Sequence, residues 1–336
     1  KDNNFADKIF TWNGDTNIFF SMIKLLEDQI NVKNDTVKGK VRVILLVEDT
    51  PTYYSRYLSF LYKVLMEQTR RIIDDVSTDA LYKVLRMRAR PKIILATNYE
   101  DAVDVIKKYG PYLLCLITDV KFERKGKLNE TAGVDLLKYC LKKHINLPTV
   151  IQSSDVSYKE VAKEHNSLFI YKHSETLYHD FHNFITNYLG FGDFVFKDNK
   201  ENEIGTASNI KEFEKMLKKI PDDSLLFHGT RDHLSMWLMA RGEIRAASML
   251  IPKKVSDFKD TNELRHGVLS VIKEHRSEQE TGNIIPYEDK LEITEENVYS
   301  LSDGSLGGKG RGLAFINALI QNYNFSVDLP EIKVRT

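Results

Sequence analysis

The first part of the chain has the apolar periodicity of a helix. Between residues 5 and 30, apolar side chains recur at steps of three and four residues, a spacing that predicts one apolar face on an α-helix. The positions that form this face are Phe19, Met22, Ile23, Leu26 and Ile30. Asn34, Asp35 and Gly39 then interrupt the pattern, so we expect the helix to end before them.

From residue 41 the pattern changes to short, continuous apolar runs separated by helical stretches. The runs are VRVILLV (41–47), KIILA (92–96), YLLCLIT (112–118), PTVIQ (148–152) and LFIY (168–171). Continuous apolar runs are typical of strands that are covered on both faces. The helical stretches lie at 52–88, 99–109, 133–144, 156–166 and 175–190. This alternation predicts an α/β fold with a doubly wound, five-stranded parallel sheet of the flavodoxin-like order 2-1-3-4-5.

The helical stretch at 52–88 is longer than a unit of this kind needs. Residues 77–79 resemble a break and a new helix start, so one helix or two are equally compatible with the pattern. A stripe at near-heptad spacing is formed by Tyr54, Leu58, Leu61, Leu65 and Ile72. Packing within the chain is the favoured interpretation of this stripe. A homodimer that pairs residues 52–88 of two chains is the alternative.

The rest of the chain is predicted to be mainly helical. GFGDF (190–194) marks the end of the sheet, and the polar residues 197–207 indicate a linker. Helical patterns return over 208–278 without a convincing strand pattern, and residues 280–303 are irregular and acidic. A glycine-rich loop then opens a helix at about 312–323. The predicted divisions are an N-terminal helical segment (1–40), a sheet domain (41–195), a helical connector (196–300) and the start of a further domain (301–336).

Composition and charge narrow the functional classes. The 336 residues carry 48 Lys+Arg against 48 Asp+Glu, which argues against general nucleic-acid binding because that function needs a basic excess. No apolar run approaches the roughly 18 residues of a membrane helix, and the first residues lack a secretory signal. The chain begins at Lys1 without Met and ends in a polar tail, and we expect it to be a portion of a longer protein.

The two cysteines, Cys115 and Cys140, are too few to cross-link a chain of this length. We therefore expect a reducing, cytoplasmic location. Both lie in apolar stretches, which indicates buried packing residues rather than nucleophiles.

Two pairs of histidines are close in sequence, but their surroundings do not resemble a metal site. Aromatic residues, Phe181 and Phe184, lie among the first pair, and no cysteine accompanies it. We interpret both pairs as solvated or helix-capping residues. The pairs are His179 with His182 and His228 with His233.

Charged and hydroxyl side chains follow the predicted strands where each strand ends. They are Glu48, Asp49, Asp119, Ser153 and Lys172. The carboxyl ends of parallel strands meet at one edge of a sheet, so we expect these side chains to converge. Three adjacent carboxylates repel one another unless a divalent cation neutralises them, and oxygen ligands of this kind suit Mg²⁺. Together with a lysine and a hydroxyl, they predict a carboxylate nucleophile that accepts a phosphoryl group.

The segments that carry these residues resemble the receiver domain of two-component response regulators. The matching segments are LLVED (45–49), LITD (116–119), PTVIQSS (148–154) and FIYK (169–172). The resemblance covers residues 41–190 and agrees in order and spacing. It implies a signalling module of a phosphorelay, whose partner is a phosphodonor histidine kinase or a small phosphodonor.

The resemblance also implies a role for each residue of the site. Asp119 is the phosphoacceptor, and it binds Mg²⁺ together with Glu48, Asp49 and the backbone carbonyl of Lys121.

Three further residues complete the implied phosphoryl site. Lys172 and Ser153 contact the phosphoryl group, and Phe169 is the aromatic switch residue. The chain departs from the receiver pattern in its long, basic loop at 120–133 and in His173, where receivers commonly have proline.

Each of these residues also has an ordinary structural interpretation. Asp49 or Thr50 before Pro51 is a common helix start, and Lys172 taken alone is compatible with a solvated surface residue. The rival hypothesis is therefore a pseudo-receiver, a docking or dimerisation scaffold that works without phosphorylation.

The glycine-rich segment GSLGGKGRG (304–312) does not have the spacing of a P-loop. It is similar to the start of the ATP-binding domain of phosphoenolpyruvate synthase and pyruvate phosphate dikinase, and residues 237–258 are similar to the connector before that domain. The resemblance implies that Lys309 and Arg311 are the first contacts of an attached nucleotide-binding domain, and that this chain regulates a kinase. A glycine turn without a ligand is the alternative.

Overall fold

The structure is a computed structural model, and its described part forms two compact units that divide after Thr261. The described residues are 8–12, 14–74, 90–144, 147–250, 253–280, 284–286, 298–301 and 307–322. The predicted helix break at 77–79 lies outside them.

The first unit contains a five-stranded parallel sheet. Its strands are β1 (Val43–Val47), β2 (Lys92–Ala96), β3 (Leu113–Asp119), β4 (Thr149–Ser153) and β5 (Leu168–Tyr171). They lie in the order β2-β1-β3-β4-β5. The α/β class and the parallel sheet are confirmed, and the strand order is compatible with a flavodoxin-like fold.

Helices cover both faces of this sheet. They are α1 (Asn17–Gly39), α2 (Pro51–Asp74), α3 (Tyr99–Tyr109), α4 (Ala132–Lys143), α5 (Tyr158–Glu164) and α6 (Leu177–Asn183). Ile44 and Leu46 of β1 pack on one face, in a core with α2 and α6. Val43 and Leu45 pack on the other face, in a core with α3 and α4. Because neighbouring strand residues point to opposite faces, the two-sided cover accounts for the continuous apolar runs.

The stripe on α2 belongs to the chain's own core. Tyr54, Leu58, Leu61 and Leu65 are buried against the sheet and α6. The fifth member, Ile72, has a side chain outside the described part. The structure thus agrees with packing within the chain, and these four side chains are not available for a helix pair between chains.

Helix α1 differs from its prediction in both position and orientation. It begins at Asn17 and continues through Asn34 and Asp35 to Gly39. Its buried side is formed by Ile18, Ser21, Leu25, Asp28, Val32 and Thr36. The predicted apolar face is instead exposed to solvent. The cause is Asp28, which is buried in an ion pair with Arg90 (2.7 Å) and so fixes the opposite side of the helix against the chain.

The prediction of a linker at 197–207 is wrong. An antiparallel hairpin joins Phe194–Lys197 to Glu203–Ala207. Its turn is closed by Asp198, whose Oδ1 accepts N–H bonds from Lys200 and Asn202, both at 2.8 Å. Side-chain acceptors of this kind stabilise tight turns, so polar residues that resemble a linker form a turn here.

Short helices follow the hairpin and pack against the end of the sheet domain. They are α7 (Ile210–Leu217), α8 (Asp222–Gly229), α9 (His233–Ala240) and α10 (Ile244–Leu250). Trp237 of α9 is buried, and its Nε1 donates to the carbonyl of Gly192 at 3.0 Å. Gly190 has a φ of +76°, and a Cβ there would lie 3.0 Å from the Trp237 Cα. Gly190, in the segment predicted to end the sheet domain, therefore permits close packing on α9.

The second unit contains α11 (Thr261–Glu280), α12 (Gly308–Asn322) and a parallel pair of short strands, Ile284–Pro286 and Val298–Ser300. The strand pair lies in a region predicted to be irregular, and α12 begins a turn earlier than predicted. Lys309 and Arg311 are exposed in the first turn of α12. In neither unit does a described helix combine the length and the hydrophobicity required to span a membrane.

Candidate functional site

The carboxyl ends of β1, β3 and β5, at one edge of the sheet, bring together the charged residues singled out from the sequence. Glu48 follows β1, Asp119 ends β3, and Lys172 follows β5. The Lys172 Nζ lies 2.7 Å from the Glu48 Oε2 and 2.8 Å from the Asp119 Oδ2. Lys172 thus bridges two carboxylates across the sheet edge, and it is buried there rather than solvated.

Asp49 completes an acidic cluster at this edge. Glu48, Asp49 and Asp119 each offer a carboxylate oxygen, and these oxygens all lie within 4.8 Å of one another. Oxygen donors at this separation are the ligands of hard divalent cations such as Mg²⁺ and Ca²⁺. The residues present therefore fit a metal ion.

Burial controls the electrostatics of the site. Burial and the neighbouring charge of Asp119 raise the pKa of Glu48 to about 7, although Lys172 opposes the rise. Burial also raises the pKa of Asp119, again opposed by Lys172. Burial alone would lower the pKa of Lys172, but the charges of Glu48 and Asp119 raise it above its ordinary value. Lys172 therefore stays positively charged. Its single positive charge is smaller than the combined negative charge of the three carboxylates when all are ionised.

Three neighbours of the acidic cluster were not anticipated from the sequence. The Thr50 N–H donates to the Glu48 Oε1 at 3.1 Å, and the Gln152 Nε2 donates to the Glu48 Oε2 at 3.3 Å. The Tyr53 ring centroid lies 4.3 Å from the Lys172 Nζ, a cation–π contact. These contacts fix the orientation of Glu48 and Lys172, and no motif in the sequence marks them.

The two carboxylate oxygens of Asp119 have different partners. The Oδ1 accepts the Val120 N–H at 2.7 Å, and the Oδ2 contacts Lys172. The first turn of α4 lies directly against this residue, since a Cβ at Gly133 would lie 1.8 Å from the Asp119 carbonyl oxygen. Only glycine permits this approach, and Gly133 was not recognised in the sequence because the contact exists only after folding.

The long basic loop after Asp119 forms a hairpin of Phe122–Arg124 with Lys127–Asn129, which we call the 122–129 hairpin. Arg124 lies over the Tyr99 ring at 4.1 Å and forms an ion pair with Asp135 at 2.7 Å. These contacts attach the 122–129 hairpin to α3 and α4, so part of the long basic loop at 120–133 is an ordered element.

The remaining predicted residues of the sheet domain lie beside the cluster. Ser153 ends β4 and is buried, and its Oγ accepts the Asp155 N–H at 3.1 Å. Phe169 is half-buried in a small apolar cluster that includes Val120, the neighbour of Asp119. The Lys121 side chain forms an ion pair with Glu130. The role of the Lys121 carbonyl as a metal ligand stays a prediction, as do the roles of Lys309 and Arg311, which belong to the second unit.

The expectation of a solvated histidine is wrong for His228. His228 is buried, and its Nδ1 lies 3.1 Å from the Nδ1 of His233. The His228 Nε2 accepts the Lys197 N–H at 2.8 Å, so the hairpin of residues 194–207 supplies a partner that the sequence did not suggest. His179 is exposed, as expected. Cys115 and Cys140 are buried thiols, as predicted.

Comparison of the sequence with models of known protein families and with curated proteins gives no match.

Proposed function

We propose that the sheet domain is a phosphoacceptor receiver module of a two-component phosphorelay, in which Asp119 is phosphorylated in the presence of Mg²⁺. The observation that carries the proposal is the contact of Lys172 with both Glu48 and Asp119, beside three carboxylates whose oxygens lie within 4.8 Å of one another. A lysine, a metal-binding carboxylate set and a carboxylate nucleophile are the groups that phosphoryl transfer of this kind requires.

Each residue has a defined part in this reaction. Glu48, Asp49 and Asp119 would hold Mg²⁺, with the carbonyl of Lys121 as a further ligand, and the ion would supply positive charge to the phosphoryl oxygens. A carboxylate oxygen of Asp119 forms the bond to phosphorus while the bond from phosphorus to the donor breaks, and the donor retains that electron pair. Lys172 stays protonated and pairs with the phosphoryl oxygens.

The response of the protein to phosphorylation depends on residues beside the site. Ser153 and Phe169 change position when the phosphoryl group is bound, and the helices after residue 190 respond to that change. In the whole protein, the regulated partner is an attached nucleotide-binding domain of the phosphoenolpyruvate-utilising type, which Lys309 and Arg311 would begin.

A mass measurement tests the proposal. The protein is incubated with Mg²⁺ and a small acyl phosphate, and its intact mass is measured. We expect a gain of one phosphoryl group in the parent, none in Asp119→Asn, and the full gain in Asp104→Asn. Asp104 is a matched control because it is an exposed carboxylate on α3. No gain in the parent would favour the scaffold that works without phosphorylation.

A further inference from the structure

Helix α1 presents a continuous apolar surface to solvent. Ile30 is 70% exposed and Leu26 is 58% exposed, although both side chains are aliphatic. The complete surface, which we call the α1 stripe, consists of Phe19, Phe20, Met22, Ile23, Leu26, Ile30 and Val37. An apolar surface of this size on a polar chain is typical of an interaction site.

The α1 stripe cannot turn inward, because the other side of the helix is fixed. The Asp28 carboxylate is buried and accepts bonds from Arg90 (2.7 Å), the Tyr62 hydroxyl (2.9 Å) and the Ile93 N–H (2.9 Å). Rotation of α1 about its axis would break these bonds and leave Arg90 buried without its partner, which is strongly unfavourable. The stripe is therefore a stable outward surface.

The spacing within the α1 stripe is that of a coiled coil. Apolar positions alternate at steps of four and three residues from Phe19 to Ile30, and the same register continues through Lys33 to Val37. In heptad terms, the a positions are Ile23, Ile30 and Val37, and the d positions are Phe19, Leu26 and Lys33. β-Branched residues at a favour two parallel strands when leucine is at d, and here all three a residues are β-branched while the central d residue, Leu26, is the one leucine at d.

Area and charge are both compatible with a symmetric pair. Each stripe side chain exposes on the order of 100 Å², so two copies would bury up to roughly 1,400 Å², above the roughly 1,000 Å² that a specific interface needs. The flanking positions Glu27, Gln29 and Asn34 place no like charges opposite one another in a parallel pair. Lys33 is the one charged residue among the d positions, and it faces its own counterpart, so this layer costs stability in the pair.

We propose that α1 forms a parallel two-stranded coiled coil with α1 of a second copy of this chain. The proposal is independent of the phosphoacceptor function, because it rests on the α1 stripe and the Asp28 contacts alone. It places the dimer contact on α1 rather than on α2, where the described members of the apolar stripe, Tyr54, Leu58, Leu61 and Leu65, are buried within the chain.

Sedimentation equilibrium at tens of micromolar tests the proposal. We expect a dimer for the parent and monomers for Leu26→Glu and Ile30→Glu, with the dissociation constant raised at least a hundredfold. Asn31→Glu is the matched control, because Asn31 is exposed on α1 outside the stripe, and it should remain dimeric. Unchanged far-UV circular dichroism would show that each variant is folded.

Two results would overturn the proposal. One is a monomeric parent, whether it stays alone or binds lipid vesicles or another protein through the stripe. The other is a dimer that survives both glutamate substitutions.

Cross-linking tests the parallel orientation. Oxidation of the Val37→Cys variant should join two copies, because Val37 faces its own counterpart in a parallel pair. The Asn31→Cys control should stay unlinked, and the native Cys115 and Cys140 do not interfere because they are buried. A dimer in which Val37→Cys does not cross-link would refute the parallel arrangement.

Discussion

Lys172 is the residue on which the electrostatics of the site depend. It is the cation placed within 3 Å of both Glu48 and Asp119, and all three side chains are largely withdrawn from solvent. Removing one partner of a buried ion pair leaves an uncompensated charge, which costs about 3–5 kcal/mol in proteins. Lys172 thus contributes to stability as well as to the proposed chemistry.

Substitution of this lysine tests its contribution to stability and the effect of Mg²⁺ on that contribution. We expect Lys172→Met to lower the free energy of unfolding by about 3 kcal/mol, with part of the loss relieved because Glu48 binds a proton. Saturating Mg²⁺ should restore more stability in the variant than it adds to the parent, since the ion replaces the missing positive charge. Urea denaturation with and without Mg²⁺ measures both effects.

The control for this experiment is Lys107→Met, because Lys107 is an exposed lysine on α3. Its stability should change by less than about 0.5 kcal/mol. Equal losses in the two variants would mean that the bridging contacts of Lys172 contribute nothing.

At the scale of elements, the start of α4 packs closely against the end of β3. The Gly133 N–H donates to the Val120 carbonyl at 2.9 Å, and the Asp119 carbonyl oxygen occupies the space of a missing side chain. The position of Asp119 therefore depends on α4 as well as on its own strand.

Substitution of this glycine tests the dependence. We expect Gly133→Ala to destabilise the protein by about 2–3 kcal/mol and to reduce phosphorylation of Asp119 severalfold. The added methyl group would force Asp119 and the start of α4 away from each other. Thermal unfolding and the intact-mass assay measure these changes. Gly308→Ala is the control, since a Cβ there meets nothing within 4 Å. Normal phosphorylation of Gly133→Ala would contradict the expectation.

The helices and strands also show which parts of the fold can be predicted from sequence patterns alone. The strands and α3 lie within about two residues of their predicted positions, because burial on both faces requires the continuous apolar runs that the sequence displays. The convergence of Glu48, Asp119 and Lys172 follows from parallel strand order alone.

Long-range contacts explain what the patterns could not predict. The orientation of α1 is set by an ion pair between Asp28 and Arg90, residues 62 positions apart, and periodicity contains no information about such a pair. The hairpin after residue 193 depends on aromatic contacts with helices later in the chain, such as Phe194 with Phe213. Tyr53 and Gly133 acquire their roles only through contacts made in the folded state.

For the molecule as a whole, the contact between the buried His228 and the half-buried His233 links stability to pH. The His228 Nε2 accepts an N–H, so the neutral ring has its proton on Nδ1 and donates it to the His233 Nδ1. Burial lowers the pKa of His228 to about 3 and of His233 to about 4, below the ordinary histidine value of about 6.5. The stability that depends on neutral histidine is complete above pH 6.5.

This stability is lost as the pH falls from about 6.5 toward 4, because the unfolded chain then binds protons that the folded chain excludes. We expect the melting temperature of the parent to fall more steeply over this range than that of His233→Asn. The exposed His179→Asn should follow the parent. Glu48, whose pKa is raised, acts in the opposite direction, so the difference between parent and variant is the quantity to measure. Parallel curves for parent and His233→Asn would refute the linkage.

The contact between Trp237 and the Gly192 carbonyl has a consequence for the fluorescence of the protein. The chain contains two tryptophans, of which Trp12 is largely exposed and Trp237 is buried with its indole nitrogen held by the Gly192 carbonyl. The buried indole reports from the end of the sheet domain, whereas the exposed one is reached by aqueous quenchers. When iodide quenches Trp12, the remaining fluorescence comes from Trp237. The native chain therefore contains a fluorescent probe of conformational changes that pass from the sheet domain to the helices after residue 190.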